Sequence, residues 1–142
     1  MALKILDHGS REYEQMVQLR YDILRKPLGL SFNPDELEKE KEEILIGAFD
    51  DDKMLGCCML IKTEPGCVRL RQMAVLNNLQ GKGIGKALMQ FAENIARDRG
   101  FRKITMHARK SATGFYEKLG YQVSGDEFEE VTIPHVTMEK SL

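Results

Sequence analysis

The chain has 142 residues, and its 21 lysines and arginines nearly cancel its 22 aspartates and glutamates. That length suits one domain with a sizeable core and is too short for two ordinary ones, so a single domain over 1–142 is expected. The charge balance gives no reason to expect nucleic acid or an anionic membrane as the main partner, and a small molecule is expected instead. No apolar run is long enough to span a bilayer and no signal-peptide core is evident, so the expected location is cytoplasmic. Cys57, Cys58 and Cys67 have no CxxC or nearby histidine spacing, so reduced, buried thiols and no metal are expected.

In chain order, Ala2 to Asp7 reads as a strand, and Ser10 is placed to cap a helix that runs until Pro27 and Gly29 oppose its continuation. Tyr13, Met16, Val17, Ile23 and Leu24 mark its apolar face, while Arg20, Tyr21 and Arg25 either border a cleft or are simply solvated. Leu28 to Pro34 is an irregular link. Asp35 to Glu43 is almost wholly charged and reads as a short exposed helix over a substrate opening. Ile44 to Phe49 and Met54 to Ile61 are strand-like and joined by the polar turn Asp50-Asp51-Asp52-Lys53. Adjacent Cys57 and Cys58 then fall on opposite faces of a strand. Glu64-Pro65-Gly66 makes the next reversal, and Cys67 onward is another strand.

From Leu70 to Leu76 apolar residues alternate, whereas from Ile84 the positions Ala87, Leu88, Phe91 and Ile95 follow a helical spacing. Between them lie Gly81, Gly83 and Gly85, flanked by Gln80, Lys82 and Lys86. Such a turn either merely links strand to helix or gathers backbone N–H groups at the positive end of the helix, which makes an anion site suited to phosphate. Neither a dinucleotide fingerprint nor a P-loop fits, because Lys86 stands where the first needs glycine and no Gly-Lys-Ser/Thr follows. Arg99-Gly100 ends the helix and Phe101 to His107 is a strand. Ala112, Phe115, Tyr116 and Leu119 form a helical face before Gly120, and Tyr121 to Ser124 and Val136 to Glu139 are the last strands. Together these elements predict a mixed α/β (α+β) chain: a mostly antiparallel, twisted sheet of about seven strands flanked by about four helices.

The run Gln80-Gly81-Lys82-Gly83-Ile84-Gly85 resembles the Gln/Arg-x-x-Gly-x-Gly/Ala signature of the GNAT superfamily of acyl-CoA-dependent N-acetyltransferases. Phe115-Tyr116-Glu117-Lys118-Leu119-Gly120-Tyr121 resembles that family's second motif, and the closing Gly125 to Met138 run resembles the ending of its ElaA-like branch. The resemblance implies acetyl-CoA as cosubstrate, an amine as acceptor and, as in many members, a homodimer. It implies that Met73, Ala74 and Val75 pair with the pantetheine arm, that the Val75 N–H faces the developing oxyanion, and that Gln80, Gly81, Lys82, Gly83, Ile84, Gly85 and Lys86 hold the pyrophosphate. Tyr116 matches the tyrosine that protonates the leaving thiolate.

Two departures from the family pattern concern the acceptor and the cofactor. Arg69 stands where some members carry a catalytic glutamate, and Arg109 where many carry asparagine. Arginine cannot act as a base at neutral pH, so Arg69 and Arg71 are candidates to bind an acceptor carboxylate or phosphate, or to pair with Glu129 or Glu130. Arg109 or Lys110 then meets a CoA phosphate. For the base, His135 comes first, His107 second, and a water chain to Glu129 third. The competing readings are a non-catalytic acyl-CoA sensor and a protein- or peptide-directed acetyltransferase.

Overall fold

A computed structural model describes residues 1–142 as eight strands and four α-helices. The strands are β1 Ala2–Leu6, β2 Ile44–Asp50, β3 Lys53–Glu64, β4 Cys67–Val75, β5 Lys103–Arg109, β6 Gln122–Val123, β7 Phe128–Glu130 and β8 Ile133–Ser141. They lie in the order β1-β2-β3-β4-β5-β8-β6, with β7 also paired to β8. Every pairing is antiparallel except β4 with β5. Parallel neighbours cannot be joined by a tight turn, and the crossover between β4 and β5 is made by a helix spanning Ile84–Asp98. The expected sheet and helices are thus present, and the strand beyond the expected seven is β7, whose three residues are too few to show an alternation.

Four α-helices cover the sheet: α1 Arg11–Arg20, α2 Pro34–Glu38, α3 Ile84–Asp98 and α4 Thr113–Lys118. The middle strands are apolar on both faces because each face has its own helix layer. Cys58 packs with Leu88, Met89 and Ala92 of α3, while Cys57 packs with Tyr13, Met16 and Leu19 of α1. Both thiols are buried and free, and Cys67 is half-buried. No helix is long and apolar enough to cross a membrane.

Ser10 caps α1 as its side chain accepts from the Tyr13 N–H, and a π turn, Tyr21–Arg25, extends the helix to the Lys26–Leu28 turn before Gly29. The charged run after it differs from the exposed helix expected over the opening. It forms α2 and a 3-10 turn, Lys39–Glu42, and turns Glu40 inward. Glu40 accepts from both terminal nitrogens of the fully buried Arg20, at 2.8 and 2.7 Å, and from the Tyr13 hydroxyl at 2.7 Å. Arg25 donates to Glu36 at 2.9 Å, a second tie between the two segments. A run of like-looking charges therefore hides one residue whose position on the turn makes it a core anchor. Arg20 neither borders the cleft nor meets solvent.

Breaking a buried pair strands the other charge, so Arg20→Ala or Glu40→Ala should each lower stability by about 3–5 kcal/mol in denaturant unfolding, whereas the combined Arg20→Met and Glu40→Leu chain should lose less than either. A second expectation concerns alkaline pH. Burial pushes the Cys57 thiol from 9.0 up to about 12 and raises Cys58, Tyr116 and Tyr121 above their ordinary values. Unfolded, these groups release their protons at lower pH than in the folded chain. Stability is therefore full below the unfolded thiol value and falls as pH rises from about 9 toward 12, and the denaturant midpoint should trace that decline.

Candidate functional site

β4 and β5 pair only where Cys67–Leu70 face Lys103–Met106. Beyond that, β4 stays with β3 and β5 stays with β8, so the sheet opens between them. A register shift against β3, with Gln72 at φ 59°, bends β4 just past the parting point. The Leu76 N–H donates to the Leu55 carbonyl at 3.0 Å and the Ala74 N–H faces the Cys57 sulfur, which fixes these two groups toward β3. By strand alternation the N–H groups of Met73 and Val75 face the opening. Gln80 Nε2 donates to the Val75 carbonyl at 3.3 Å and so ties the glycine loop to the end of β4.

The loop delivers a row of unused donors. Gly83, at φ 87°, is the N-cap of α3 and supplies no side-chain acceptor, and the first amide of the helix region to find a carbonyl is that of Ala87, which donates to Gly83. The N–H groups from Gly81 to Lys86 are left without an acceptor in the protein. A left-handed φ disfavours a Cβ at Gly81 and Gly83 even though the space around both is open. Free donors at a helix start, beside Lys86, fit a pyrophosphate.

Opening and loop share one cavity of about 960 Å³. Arg69, Arg71, Met73, Ala74, Val75, Gln80, Gly81, Gly83, Gly85, Lys86, Tyr116 and His135 line it, as do His107, Arg109 and Glu130. The side chains of three sequence candidates lie elsewhere. Lys82 is exposed outside the lining and Ile84 buries its side chain in the core, although both N–H groups belong to the unpaired row, and Glu129 is exposed on the opposite face of β7 from Glu130. The period-two geometry of a strand decides the last case: of two neighbouring glutamates only one can look into the cavity. Lys110 is paired with Glu127 at 3.0 Å, which leaves Arg109 as the basic residue of that turn in the cavity wall. Ile23, Leu24, Leu30, Arg25 and Glu36 also line the cavity; of the residues the sequence offered as a cleft border only Arg25 does so, and Tyr21, like Arg20, is outside the lining.

In the cavity wall, Tyr116 is 6% exposed and packs edge-on against Phe115 and Tyr121. Burial, then the charge of Cys58, holds its phenol above the ordinary value, which keeps it protonated. Across the cavity four polar side chains meet. Arg69 places a terminal nitrogen 2.6 Å from His107 Nδ1, and Glu130 places Oε1 3.2 Å from the same nitrogen. His135, 5% exposed, has Nδ1 2.7 Å from the Ile133 carbonyl and Nε2 3.6 Å from Glu130 Oε2. Burial and the neighbouring Arg71 hold the Arg69 guanidinium below its ordinary value, opposed by Glu130, and it stays charged at neutral pH. Glu130 is the member of this group that the sequence leaves among pairing partners for an arginine, since only the unrecognised strand β7 fixes its direction. No cluster of three or more His, Cys, Asp or Glu side chains is placed to hold a metal ion.

Comparison with known proteins agrees with this arrangement. The family described as an acetyltransferase (GNAT) domain matches residues 28–142. Among relatives in Bacillus subtilis, the uncharacterized protein YyaT is 38% identical over 74 residues, 52% of this chain and 50% of that protein. The uncharacterized N-acetyltransferase YjcF is 35% identical over 107 residues, 75% of this chain and 74% of that protein. The match thus spans only half the length of the first of these relatives. A putative N-acetyltransferase structure from Lactobacillus plantarum superposes with a TM-score of 0.87 at 24% identity, covering 100% of this chain and 99% of that one. An aminoglycoside 6'-N-acetyltransferase complexed with coenzyme A gives 0.85 at 19% identity, covering 99% and 97%. Escherichia coli ElaA gives 0.83 at 18%, covering 98% of each chain, a likeness of fold that does not set its branch apart from the others. With the family pattern running over most of the chain and the splayed strands and donor loop in place, the protein belongs to the GNAT acetyltransferase family.

Proposed function

We propose that the chain is a single-domain N-acetyltransferase that moves an acetyl group from acetyl-CoA to the primary amine of a small molecule by direct transfer. The observation that carries this reading is that one cavity is lined together by the Gly81–Lys86 loop with its unpaired N–H groups, the Met73–Val75 edge, Tyr116 and His135. Acetyl-CoA would supply an acyl group activated as a thioester. The Gly81–Lys86 amides, with Lys86 and Arg109 nearby, are the groups to hold its phosphates, and the edge of β4 is the place for its extended arm, bound as an added strand would be.

Each remaining requirement of acyl transfer has a residue. The Val75 N–H faces the opening and donates to negative charge forming on the acyl oxygen. Tyr116, held neutral by its burial, keeps a proton available for the departing sulfur. His135 offers Nε2 to the incoming amine, because its Nδ1 is occupied with the Ile133 carbonyl. A non-catalytic acyl-CoA sensor would need only the loop and the strand edge. The convergence of Tyr116 and His135 on the same cavity favours turnover.

Charge in the acceptor end supports an anionic or zwitterionic amine. Arg25 and Glu36 neutralise each other and Arg69 lies 3.9 Å from Glu130, while Arg71 has no acidic partner. Arg71 is exposed in the cavity and presents a free fork to a carboxylate or phosphate. A polycation of the aminoglycoside type, the compound class in the name of one structural neighbour, would meet a surplus of positive charge here.

Tyr116→Phe should lower kcat by roughly 10²-fold with KM for the amine nearly unchanged, measured by thiol release across an amine panel. Gly83→Val forces a branched residue into a left-handed φ and should weaken CoA binding at least tenfold by calorimetry. Arg71→Ala should raise KM for amines carrying a carboxylate or phosphate while leaving KM for uncharged amines in place; equal KM changes for both sets would remove Arg71 from acceptor recognition.

A further inference from the structure

We infer that Glu130 is the positioning carboxylate of the base: it holds the proton that His135 takes from the acceptor ammonium. The inference rests on the acetyltransferase reading above and assigns a role in it to a residue of the β7–β8 hairpin.

The hydrogen-bond inventory separates the two histidines. A neutral imidazole has one lone pair and one N–H. At His107, Nδ1 is met at 2.6 Å by Arg69, which is always a donor, so that lone pair is used and the Glu130 oxygen 3.2 Å away cannot also bond there while the ring is neutral. His135 is arranged the other way. Its Nδ1–H donates to the Ile133 carbonyl at 2.7 Å, which leaves the Nε2 lone pair without a donor, 3.6 Å from Oε2 of Glu130, a residue that lines the cavity with it. Only His135 can accept a proton into the cavity without first breaking a hydrogen bond.

Glu130 is faced by side chains from three strands. Arg69 of β4, 3.9 Å from Oε1, and His107 of β5 stand on one side of the carboxylate, and His135 of β8 stands on the other. Arg71 bears on the group only through Arg69, and Arg109 is the register partner of His135 across β5 and β8. Phe128, two residues before Glu130 on the same face of β7, packs on both imidazoles with ring centroids 5.0 and 6.0 Å away. The hairpin itself is strained. Glu130 pairs with Ile133 across a two-residue turn in which Val131 and Thr132 have φ of 47° and 65°. That is the sign pattern of a type I′ turn, which favours Asn-Gly and disfavours β-branched residues. Strain of this sort persists where surrounding contacts fix the geometry, and here it fixes the last rung of β7, which is Glu130.

The proton balance closes. An acceptor ammonium brings three protons: one passes to His135 Nε2 and then to solvent, one stays on the product amide, and one leaves with the thiol, whose sulfur is protonated by way of Tyr116. As the N–C bond forms and the C–S bond breaks, the imidazolium left on His135 lies beside Glu130.

The test follows the ring protons of His135 by NMR through a pH titration, assigned with His135→Gln, in the wild type, Glu130→Gln, Glu130→Asp and the outward-facing control Glu129→Gln. In Glu130→Gln, His135 should hold its proton about tenfold more weakly, with Glu130→Asp intermediate and both His8 and the control unchanged. The acidic limb of the kcat/KM profile for the best amine should move to lower pH by the same factor. An unchanged His135 titration in Glu130→Gln overturns the inference whatever happens to turnover, and so does a shifted titration with an unshifted limb. Should the wild type acetylate no amine, the enzymatic reading fails, and the titration alone then decides whether Glu130 holds the His135 proton.

Discussion

The structure depends on β4 and β5 parting after four paired residues. A parallel pair that continued would bond the backbone of Met73–Val75 to a neighbouring strand and leave nothing for a ligand. Parting exposes an edge inside the sheet, where unpaired N–H and C=O groups are costly unless something bonds them. The chain limits that cost by tying Val75 to Gln80 and by packing apolar side chains of β4 into both core layers. What is left open is a slot with backbone donors on one wall, and the Gly81–Lys86 loop continues those donors beyond the strand end. Fold and candidate site are therefore one feature: the opening in the sheet is the cavity wall.

Holding such a sheet open needs support from behind. On one face α3 and α4 pack through Leu88, Met89 and Tyr116, so the phenol in the cavity wall is also part of the core. On the other face α1 is fastened to the charged segment by Arg20, Glu40 and Tyr13, and that segment carries Glu36 into the cavity wall beside Arg25. A buried ion pair is a weak source of stability, but it has one favoured partner and one geometry. An apolar contact there would let the segment slide; a two-pronged guanidinium–carboxylate pair does not.

Much of this was legible in the sequence because it is written in local pattern. Alternation located the long strands, glycine spacing located the loop, and the Tyr116 run located the helix beneath the cavity. The family signature lies in the backbone-binding half of the site, where residue type is dictated by φ and by the need for bare N–H groups. Side-chain direction at short or all-polar segments was not legible. Glu40 sits among eight charged residues between Asp35 and Glu43, and nothing in composition says which of them turns inward. Glu129 and Glu130 are adjacent and chemically identical, so the choice between them needed the register of β7 against β8.

That register bears on how the acceptor half of the site is built. Arg69 of β4 places a permanent cation in the cavity wall. A cation in that position makes a carboxylate brought from elsewhere more favourable, and Glu130 arrives from the β7–β8 hairpin within 3.9 Å of it. The same guanidinium satisfies the His107 lone pair, which leaves His135 as the ring with a lone pair that no donor meets. The Arg69 cation thus lies beside an acid from another strand and occupies one imidazole, while the other imidazole makes its own contact with Ile133. The loop and strand edge depend on none of these side chains. The proposed cofactor half can therefore keep its backbone geometry while the side chains of the proposed acceptor half vary with the strand that carries the charge.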